Sequence, residues 1–344
     1  LRVVLSLLFA LLVFGPPASA IDNADCLSCH EQPELSKTQP DGTELSLYID
    51  PAVYDASVHG GADCTMCHSD ITELPHGENL EPVNCGACHD EAEVYKSSLH
   101  GIALANGDNG AASCNDCHGK HDIRSASDPL SLVHPRNLPS TCGQCHSDSN
   151  LVKSHMISVM DPSDSYLKST HAKAIMSGNL DAATCTACHG THDLLPSQDP
   201  QSKVYRANIP TTCGTCHPEE LADFNESIHG KALAAGIKDA PTCIDCHGEH
   251  DIESPGEATS QVNRKVVAKY TCARCHDDER IMHRYGIETS RQASYMDSYH
   301  GMAGAAGSNV VATCSSCHGA HDILPASDPK SSINKDNLPQ TCGK

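Results

Sequence analysis

One five-residue pattern, Cys-x-x-Cys-His, constrains this chain more than anything else in it. It occurs at Cys26/Cys29/His30, Cys64/Cys67/His68, Cys85/Cys88/His89, Cys114/Cys117/His118 and Cys142/Cys145/His146. It recurs at Cys185/Cys188/His189, Cys213/Cys216/His217, Cys243/Cys246/His247, Cys272/Cys275/His276 and Cys314/Cys317/His318. Ten copies use all but one of the 21 cysteines; the last, Cys342, stands in Thr-Cys-Gly-Lys, where an eleventh copy would begin. Two thiols three residues apart match the two vinyl groups of one porphyrin, and the adjacent imidazole then lies under its iron. Zinc ribbons pair Cys-x-x-Cys knuckles with no need for a His after each, and a disulfide framework has no use for that His either. The pattern therefore predicts covalent haem c, ten copies, with an eleventh if the motif at Cys342 is completed.

Composition agrees once haem is admitted. The chain of 344 residues has no Trp and only three Phe, and aromatics make up 3% of it. Without a cofactor such a sequence leans toward disorder, because it has too little apolar surface to offset chain entropy. Stacked porphyrins, each fixed at two thioethers and clamped at its iron, supply the missing core, so folding is expected to be coupled to cofactor attachment. The formal net charge of −21 argues against nucleic acid as a partner, which needs basic patches, and suits cationic redox partners.

Residues 1–20 read as an export signal: Arg2, the apolar stretch Val3 to Phe14, then Gly15-Pro16-Pro17 and the cleavage site Ala18-Ser19-Ala20. Haem is attached to such motifs outside the cytoplasm, so a periplasmic or otherwise exported location is expected. A trihaem region over 21–94 follows, with one degenerate repeat start at Tyr54, Ser57, His59 and Gly60. Regular dihaem repeats then occupy 95–223 (repeats 1 and 2) and 224–344 (repeats 3 and 4). Each repeat opens on an aromatic residue and Ser-x-His, as in Tyr95…Ser98-Leu-His100-Gly101 and Phe224…Ser227-Ile-His229-Gly230. Fourteen residues later the first haem motif expands to Cys-x-x-Cys-His-Gly-x-His-Asp, and the second motif follows 28 or 29 residues on.

The fold expected is mainly α with much irregular structure: a haem-cored array of short helices and long loops. Thr141, Thr212, Thr271 and Thr341, each just before a haem cysteine, are expected to cap helices. Short amphipathic pieces such as Lys231 to Gly236 are expected after the Ser-x-His turns. Leu195 to Ser202 reads as a loop, and no segment shows a strand pattern.

Thirteen of the 23 histidines lie outside the motifs. Every regular repeat offers two of them and needs two. The sixth iron ligands are therefore expected to be His100, His121, His171, His192, His229, His250, His300 and His321, with His59 and His76 in the N-terminal region. The second His of His-Gly-x-His-Asp lies too near its own motif to reach the far face of that haem, so it is expected to serve a neighbouring one. His134, His155 and His283 read equally as ligands or loop histidines. Asp122, Asp193, Asp251 and Asp322 either orient an imidazole or cap a turn.

The doubled haem unit, with Ser-x-His-Gly ahead of it and His-Gly-x-His-Asp within it, resembles the class III-like periplasmic multihaem cytochromes over residues 22–344. That resemblance implies bis-His, low-spin, low-potential haems. It also implies electron flow between a quinol-oxidising membrane complex or catabolic donor and a terminal acceptor or reductase, in some members with a membrane-bound continuation, here beyond Lys344. A relay without a catalytic residue is the expected function. The alternative is an oxidoreductase of the nitrite, hydroxylamine or tetrathionate type with one open haem. A third possibility, a filament subunit, shares the relay chemistry and differs only in assembly. No haem motif ends in Lys, which weighs against the nitrite-reducing type.

Overall fold

The computed structural model describes residues 21–39, 42–157 and 159–343. The expected export signal at 1–20 lies outside the described residues. The described chain is mostly short helices joined by irregular loops, and its longest helices, Leu138–His146 and Pro218–Glu226, have nine residues each. Two compact units divide it: Leu1–Ala87 with His121–Ile123, and Cys88–Lys120 with Arg124–Lys344.

Each repeat is built the same way. An aromatic helix ends at a serine, and that serine caps the helix bearing the Ser-x-His histidine. Such histidine helices run over Leu99–Ala105, Thr170–Ser177, Ile228–Ala234 and Tyr299–Ala305. The Oγ atoms of Ser98, Ser169, Ser227 and Ser298 accept the backbone N–H three residues on, at 3.0–3.2 Å, which satisfies a donor left free at a helix start. The hydroxyls of Tyr54, Tyr95, Tyr166 and Tyr295 donate to carbonyls just ahead of the following haem motif, those of Ala62, Ala112, Ala183 and Ala312. The piece expected at Lys231 to Gly236 is thus part of a helix that begins at the turn itself.

The glycine of Ser-x-His-Gly answers a steric need. A Cβ on Gly230 would stand 2.0 Å from the Phe224 carbonyl oxygen, and one on Gly101 would stand 2.1 Å from that of Tyr95. Repeat 2 carries Ala172 here, fully buried. Gly230→Ala is expected to destabilise the second unit by about 1–3 kcal/mol, the range for overpacking. Ala172→Gly should cost about 1 kcal/mol or less. Thermal melts of the two holoprotein variants check this, and equal shifts would refute the crowding argument.

Repeats are latched by one recurring hydrogen bond. The residue between Ser and His donates its N–H to a carbonyl two residues past the histidine of the next repeat's His-Gly-x-His-Asp. The pairs are Val58 to Ile123, Leu99 to Leu194, Thr170 to Ile252 and Ile228 to Ile323, at 2.7–2.9 Å. The first of these ties His121–Ile123 to the first unit.

The first-motif helices Cys114–His118, Cys185–His189, Cys243–His247 and Cys314–His318 start after Ser113, Thr184, Thr242 and Thr313. The threonines expected as caps lie elsewhere. Thr141 is inside Leu138–His146, whose cap position is Asn137, and Thr271 lies inside Val267–Cys272. Thr212 and Thr341 are likewise interior, in Ile209–Gly214 and Leu338–Cys342. Their hydroxyls donate instead to loop carbonyls: Thr141 to Leu132, Thr212 to Lys203, Thr271 to Gln261 and Thr341 to Ser332. The loops themselves are bracketed by asparagines, as Asn137 Nδ2 donates to Pro129 O and Ser131 O and Asn208 Nδ2 to Pro200 O and Ser202 O.

A strand pair that the sequence pattern did not suggest joins Ser36–Thr38 to Glu44–Ser46, antiparallel, with Lys37 opposite Leu45. Buried apolar residues are few among the described ones. The larger are Leu138, Val152, Tyr166, Ile175, Ile209, Val267 and Met282, and all belong to the second unit. Leu99, Ile102, Ile228 and Met302, on the histidine-bearing helices, are each roughly half exposed.

Candidate haem-binding sites

The motif histidines meet the recurring non-motif histidines ring to ring. In the first unit His30 faces His76 with centroids 5.9 Å apart, and His68 faces His121 at 6.2 Å. In the second unit the pairs are His118–His192, His189–His250 and His247–His321 at 5.9–6.0 Å, and His146–His100, His217–His171 and His276–His229 at 6.1–6.2 Å. Two imidazoles that ligate one metal from opposite sides, each nitrogen about 2 Å from it, hold their centroids about 6 Å apart. The rings are thus spaced for an iron between them.

A rule governs who meets whom. The Ser-x-His histidine faces the second motif of its own repeat. The His-Gly-x-His-Asp histidine faces the first motif of the preceding repeat. The inter-repeat hydrogen bonds hold these partners in register, because the residue next to one ligand candidate bonds the segment that follows the other.

Tautomers are set where the backbone can reach. His30 Nδ1 lies 2.8 Å from Leu47 O, and His76 Nδ1 lies 2.8 Å from Gly77 O. Each Nδ1–H donates outward, which leaves both Nε2 lone pairs free for a metal. Burial, then neighbouring histidines, holds His100, His118, His146, His171 and His247 below the usual imidazole value. The same causes bring His189 and His229 down to about 4. A neutral imidazole is the form that ligates iron.

The cysteines link one motif to the next. Within the second unit a thiol of each second motif lies close enough to the first thiol of the following motif to couple with it: Cys142 with Cys185, Cys213 with Cys243, and Cys272 with Cys314. One thiol of each pair is pushed up and the other down, to about 7 for Cys213 and Cys314. The steps between belong to Cys117 with Cys142 and Cys145, Cys188 with Cys213 and Cys216, Cys246 with Cys275, and Cys317 with Cys342, which interact electrostatically. Every consecutive pair of motifs from Cys114 to Cys342 is therefore adjacent. In the first unit Cys26 and Cys64 couple in the same manner.

The sequence puts Cys29 and Cys67 on the same footing as every other haem cysteine, and here the structure differs. Their motif partners Cys26 and Cys64 are half-buried and meet each other, whereas Cys29 and Cys67 are exposed. Cys88, Cys216 and Cys342 share that exposure. The cause is local. Residues 26 and 29 are three apart, yet on the helix Asn23–His30 only Cys26 turns toward the Cys64 thiol, and Cys29 has the exposed Ser28 hydroxyl at 3.8 Å beside it. Cys67 ends the single turn Cys64–Cys67, close enough to Tyr54 to help raise its hydroxyl after burial and Cys64 have done so. The first unit has no buried apolar side chain among its described residues to cover either thiol.

A cavity of about 410 Å³ opens beside His250, lined by Arg206 and Arg274. Arg206 Nε is buried without a partner. A guanidinium so placed suits the carboxylates of a porphyrin edge. Arg206 Nη2 already pairs with Asp245 Oδ2 at 3.2 Å and donates to Ala240 O, so only its Nε is open to a further acceptor. Ring spacing, free Nε2 atoms and thiol spacing all fit haem c.

The remaining histidines differ. His134 is 4% exposed, and its Nδ1 accepts Arg136 N–H. It occupies the loop position that Tyr205, Asn263 and Asn334 hold in the other repeats. His300 packs edge-on against Tyr299, His318 is half-buried near Arg291, and His59 N–H donates to Ser57 Oγ. His89 follows the short helix Cys85–Ala87, and its carbonyl accepts Ala92 N–H. His283 sits in the helix Glu279–Arg284. Asp193 Oδ1 accepts Thr191 N–H at 2.9 Å, which caps a turn.

His155 is an ion-pair partner: its Nε2 lies 2.7 Å from Asp108 Oδ2. The hydrogen bond to Asp108 holds His155 above the usual imidazole value, and the bond to His155 holds Asp108 below the usual carboxylate value. A raised histidine contributes fully below its unfolded pKa and loses that contribution as pH rises through its folded one. Repeats 1 and 3 carry 13 additional residues after their second motif, since Cys114 to Cys185 and Cys243 to Cys314 are 71 residues apart and Cys185 to Cys243 is 58. His155 lies in the first of these inserts. The second, after His276, is fastened differently, by Arg284 Nη1 at 2.5 Å from Asp239 Oδ2, and guanidinium does not titrate. Limited proteolysis should therefore cut the insert at 147–161 faster as pH rises above the histidine range and leave the cutting rate at 277–290 unchanged. Parallel behaviour of the two inserts would refute this.

Comparison with known proteins supplies the family. Residues 33–146 match the class III cytochrome c family, and residues 177–340 match the family described as outer membrane cytochrome MtrC/MtrF-like, domains II/IV. The chain belongs to the multihaem c-type cytochromes. It is 29% identical over 122 residues to the cytochrome c-type protein NrfB of Escherichia coli, covering 32% of this chain and 57% of that protein. It is 21% identical over 314 residues to the high-molecular-weight cytochrome c of Nitratidesulfovibrio vulgaris, covering 86% of this chain and 53% of that protein. This multihaem cytochrome thus spans about half the length of the curated relatives it matches. No solved structure matches it significantly. Both families are cytochromes, which implies covalent haem c and electron transfer. No described helix is long and apolar enough to cross a membrane.

Proposed function

We propose that this multihaem cytochrome is an exported, periplasmic relay that passes single electrons along its haems in the order of their motifs. The observation that carries this reading is the unbroken adjacency of consecutive motifs from Cys114 to Cys342. Ten haems would be held by the cysteines of the ten motifs, with His30, His68, His89, His118, His146, His189, His217, His247, His276 and His318 as proximal ligands. Thioethers at the exposed Cys29 and Cys67 would lie at solvent-facing haem edges, where a partner protein could exchange electrons. Cys342 would begin an eleventh site. The distal ligands would be His76, His121, His192, His250, His321, His100, His171 and His229, in the ring pairs given above, with His59 serving the motif of His89 and, by the same rule, His300 serving the site that begins at Cys342. Haem iron supplies a one-electron ferrous/ferric couple. The protein's own part is to fix spacing, keep imidazoles neutral and fill both axial positions of the paired sites, so that no substrate reaches those metals.

Donor and acceptor would be redox proteins, a quinol-oxidising membrane complex on one side and a terminal reductase on the other. Residues 21–87 hold thirteen acidic side chains against Lys37 alone, which favours a cationic partner there. The test is the optical and EPR spectrum of the mature protein with and without carbon monoxide. Low-spin haem at every paired site, with no carbon monoxide bound there, is the expected result. Carbon monoxide binding at a haem other than that of His318 would instead favour a catalyst with one open site.

A further inference from the structure

The eight ring pairs fall into two geometric classes. Pairs on first motifs are close to coplanar, with interplanar angles of 17° for His118–His192, 8° for His189–His250 and 22° for His247–His321. Pairs on second motifs are crossed: 55° for His146–His100, 56° for His217–His171 and 47° for His276–His229. The first unit adds two of the flatter kind, 6° for His30–His76 and 31° for His68–His121.

The difference follows from how the chain delivers each distal imidazole. Coplanar partners sit on a tight turn just past a motif helix, after a glycine in the left-handed region: φ is +96° at Gly190, +87° at Gly248 and +80° at Gly319. Only glycine takes that conformation cheaply, and a Cβ there would also strike the carboxylate of the following Asp193, Asp251 or Asp322. Crossed partners sit in the first turn of a serine-capped helix, whose axis sets the ring direction. Two backbone frames give two ring orientations, repeat after repeat.

We propose that these frames make the haems of the second unit alternate in electronic type, coplanar at first motifs and crossed at second motifs. The inference rests on the ligand assignment proposed above. An imidazole donates π density only at right angles to its own plane. Two coplanar rings therefore act on the same iron d orbital, split the pair that holds the ferric hole and stabilise the oxidised state. Crossed rings act on both orbitals and leave them nearly equal. Axial geometry is thus a lever on potential set by the protein.

Low-temperature EPR of the oxidised holoprotein tests this. Two low-spin signals are expected, a rhombic one from coplanar sites and a strongly anisotropic large-g one from crossed sites, in a ratio of about five to three for these eight pairs. On titration the crossed signal should vanish first, at the higher potential. His171→Ala should remove about a third of the crossed signal and leave the rhombic one intact, and His192→Ala should act on the rhombic signal alone. One uniform low-spin class in the wild-type protein, or loss from the wrong class in either variant, would overturn the alternation while leaving the ligand assignment standing. High-spin, carbon monoxide-binding haem at a paired site in the wild type would instead overturn the assignment itself.

Discussion

Produced without haem attachment, the chain is expected to show the far-ultraviolet circular dichroism of an unfolded polypeptide, with no cooperative melt and with digestion by protease within minutes. The reason lies in what the folded chain buries. In the first unit none of the described apolar residues is buried, and in the second only a handful of large ones are. Ordering a residue costs about 1–2 kcal/mol of backbone entropy, and a fully buried Leu or Ile returns about 1.5–3 kcal/mol. Seven large buried side chains cannot hold more than three hundred residues. Hydrogen bonds such as the serine caps and the inter-repeat latches direct the chain, but each contributes only about 1 kcal/mol net. Covalent porphyrins clamped between histidine pairs would supply both the apolar core and the cross-links. A helical, cooperatively melting protein obtained from a host that cannot attach haem would refute this account. A second unit that folds alone, with the first remaining unfolded, would place the threshold in the second unit's few buried apolar residues, among them Val152, Tyr166 and Ile175.

What the sequence discloses and what it withholds divide along one line. Recurrence at fixed spacing marks chemistry, so the cysteines, the motif histidines and the two kinds of non-motif histidine stand out in the sequence. Which histidine meets which does not, because the pairing depends on hydrogen bonds between repeats, such as Leu99 N–H to Leu194 O, made by backbone atoms that leave no trace in residue type. The same holds for Leu47 O, which orients His30. Nor does spacing tell the two thiols of a motif apart: Cys26 and Cys64 meet while Cys29 and Cys67 stand exposed, because exposure depends on what packs over a helix and not on its own residues. Cap assignment shows a different gap. Thr141 precedes a haem cysteine and looks like a cap, yet Pro139, one of the first residues of Leu138–His146, is the better marker of where a helix starts. The strand pair at 36–46 escapes a pattern search because, apart from Leu45, its residues are polar or charged and bury almost nothing. His134 illustrates the opposite case: a histidine in a haem protein that serves a loop, at a position filled by Tyr or Asn in sister repeats.

Replacing His250 with Met is expected to place an electron trap near the middle of the second unit. His250 faces His189 at 6.0 Å. The motif of His189 lies on one side beside Cys142 and on the other beside Cys213 and Cys216. Methionine in place of a second imidazole raises the potential of the haem it ligates. A rise of roughly 0.1–0.3 V is a modest part of the span that axial ligands command. For one electron each 59 mV is a factor of ten, so escape from that site should slow by about 10² to 10⁵-fold. In an equilibrium titration one haem in ten should move to higher potential. In stopped-flow reoxidation a slow phase should then appear, because with motifs adjacent in single file there is no second path around the site. Were the titration to shift by one haem while all ten reoxidised at the wild-type rate, the haems would branch or exchange electrons directly with solvent, and an ordered relay would no longer describe the molecule. Were no haem to shift, His250 would not be the ligand, and the pairing rule between successive repeats would fall with it.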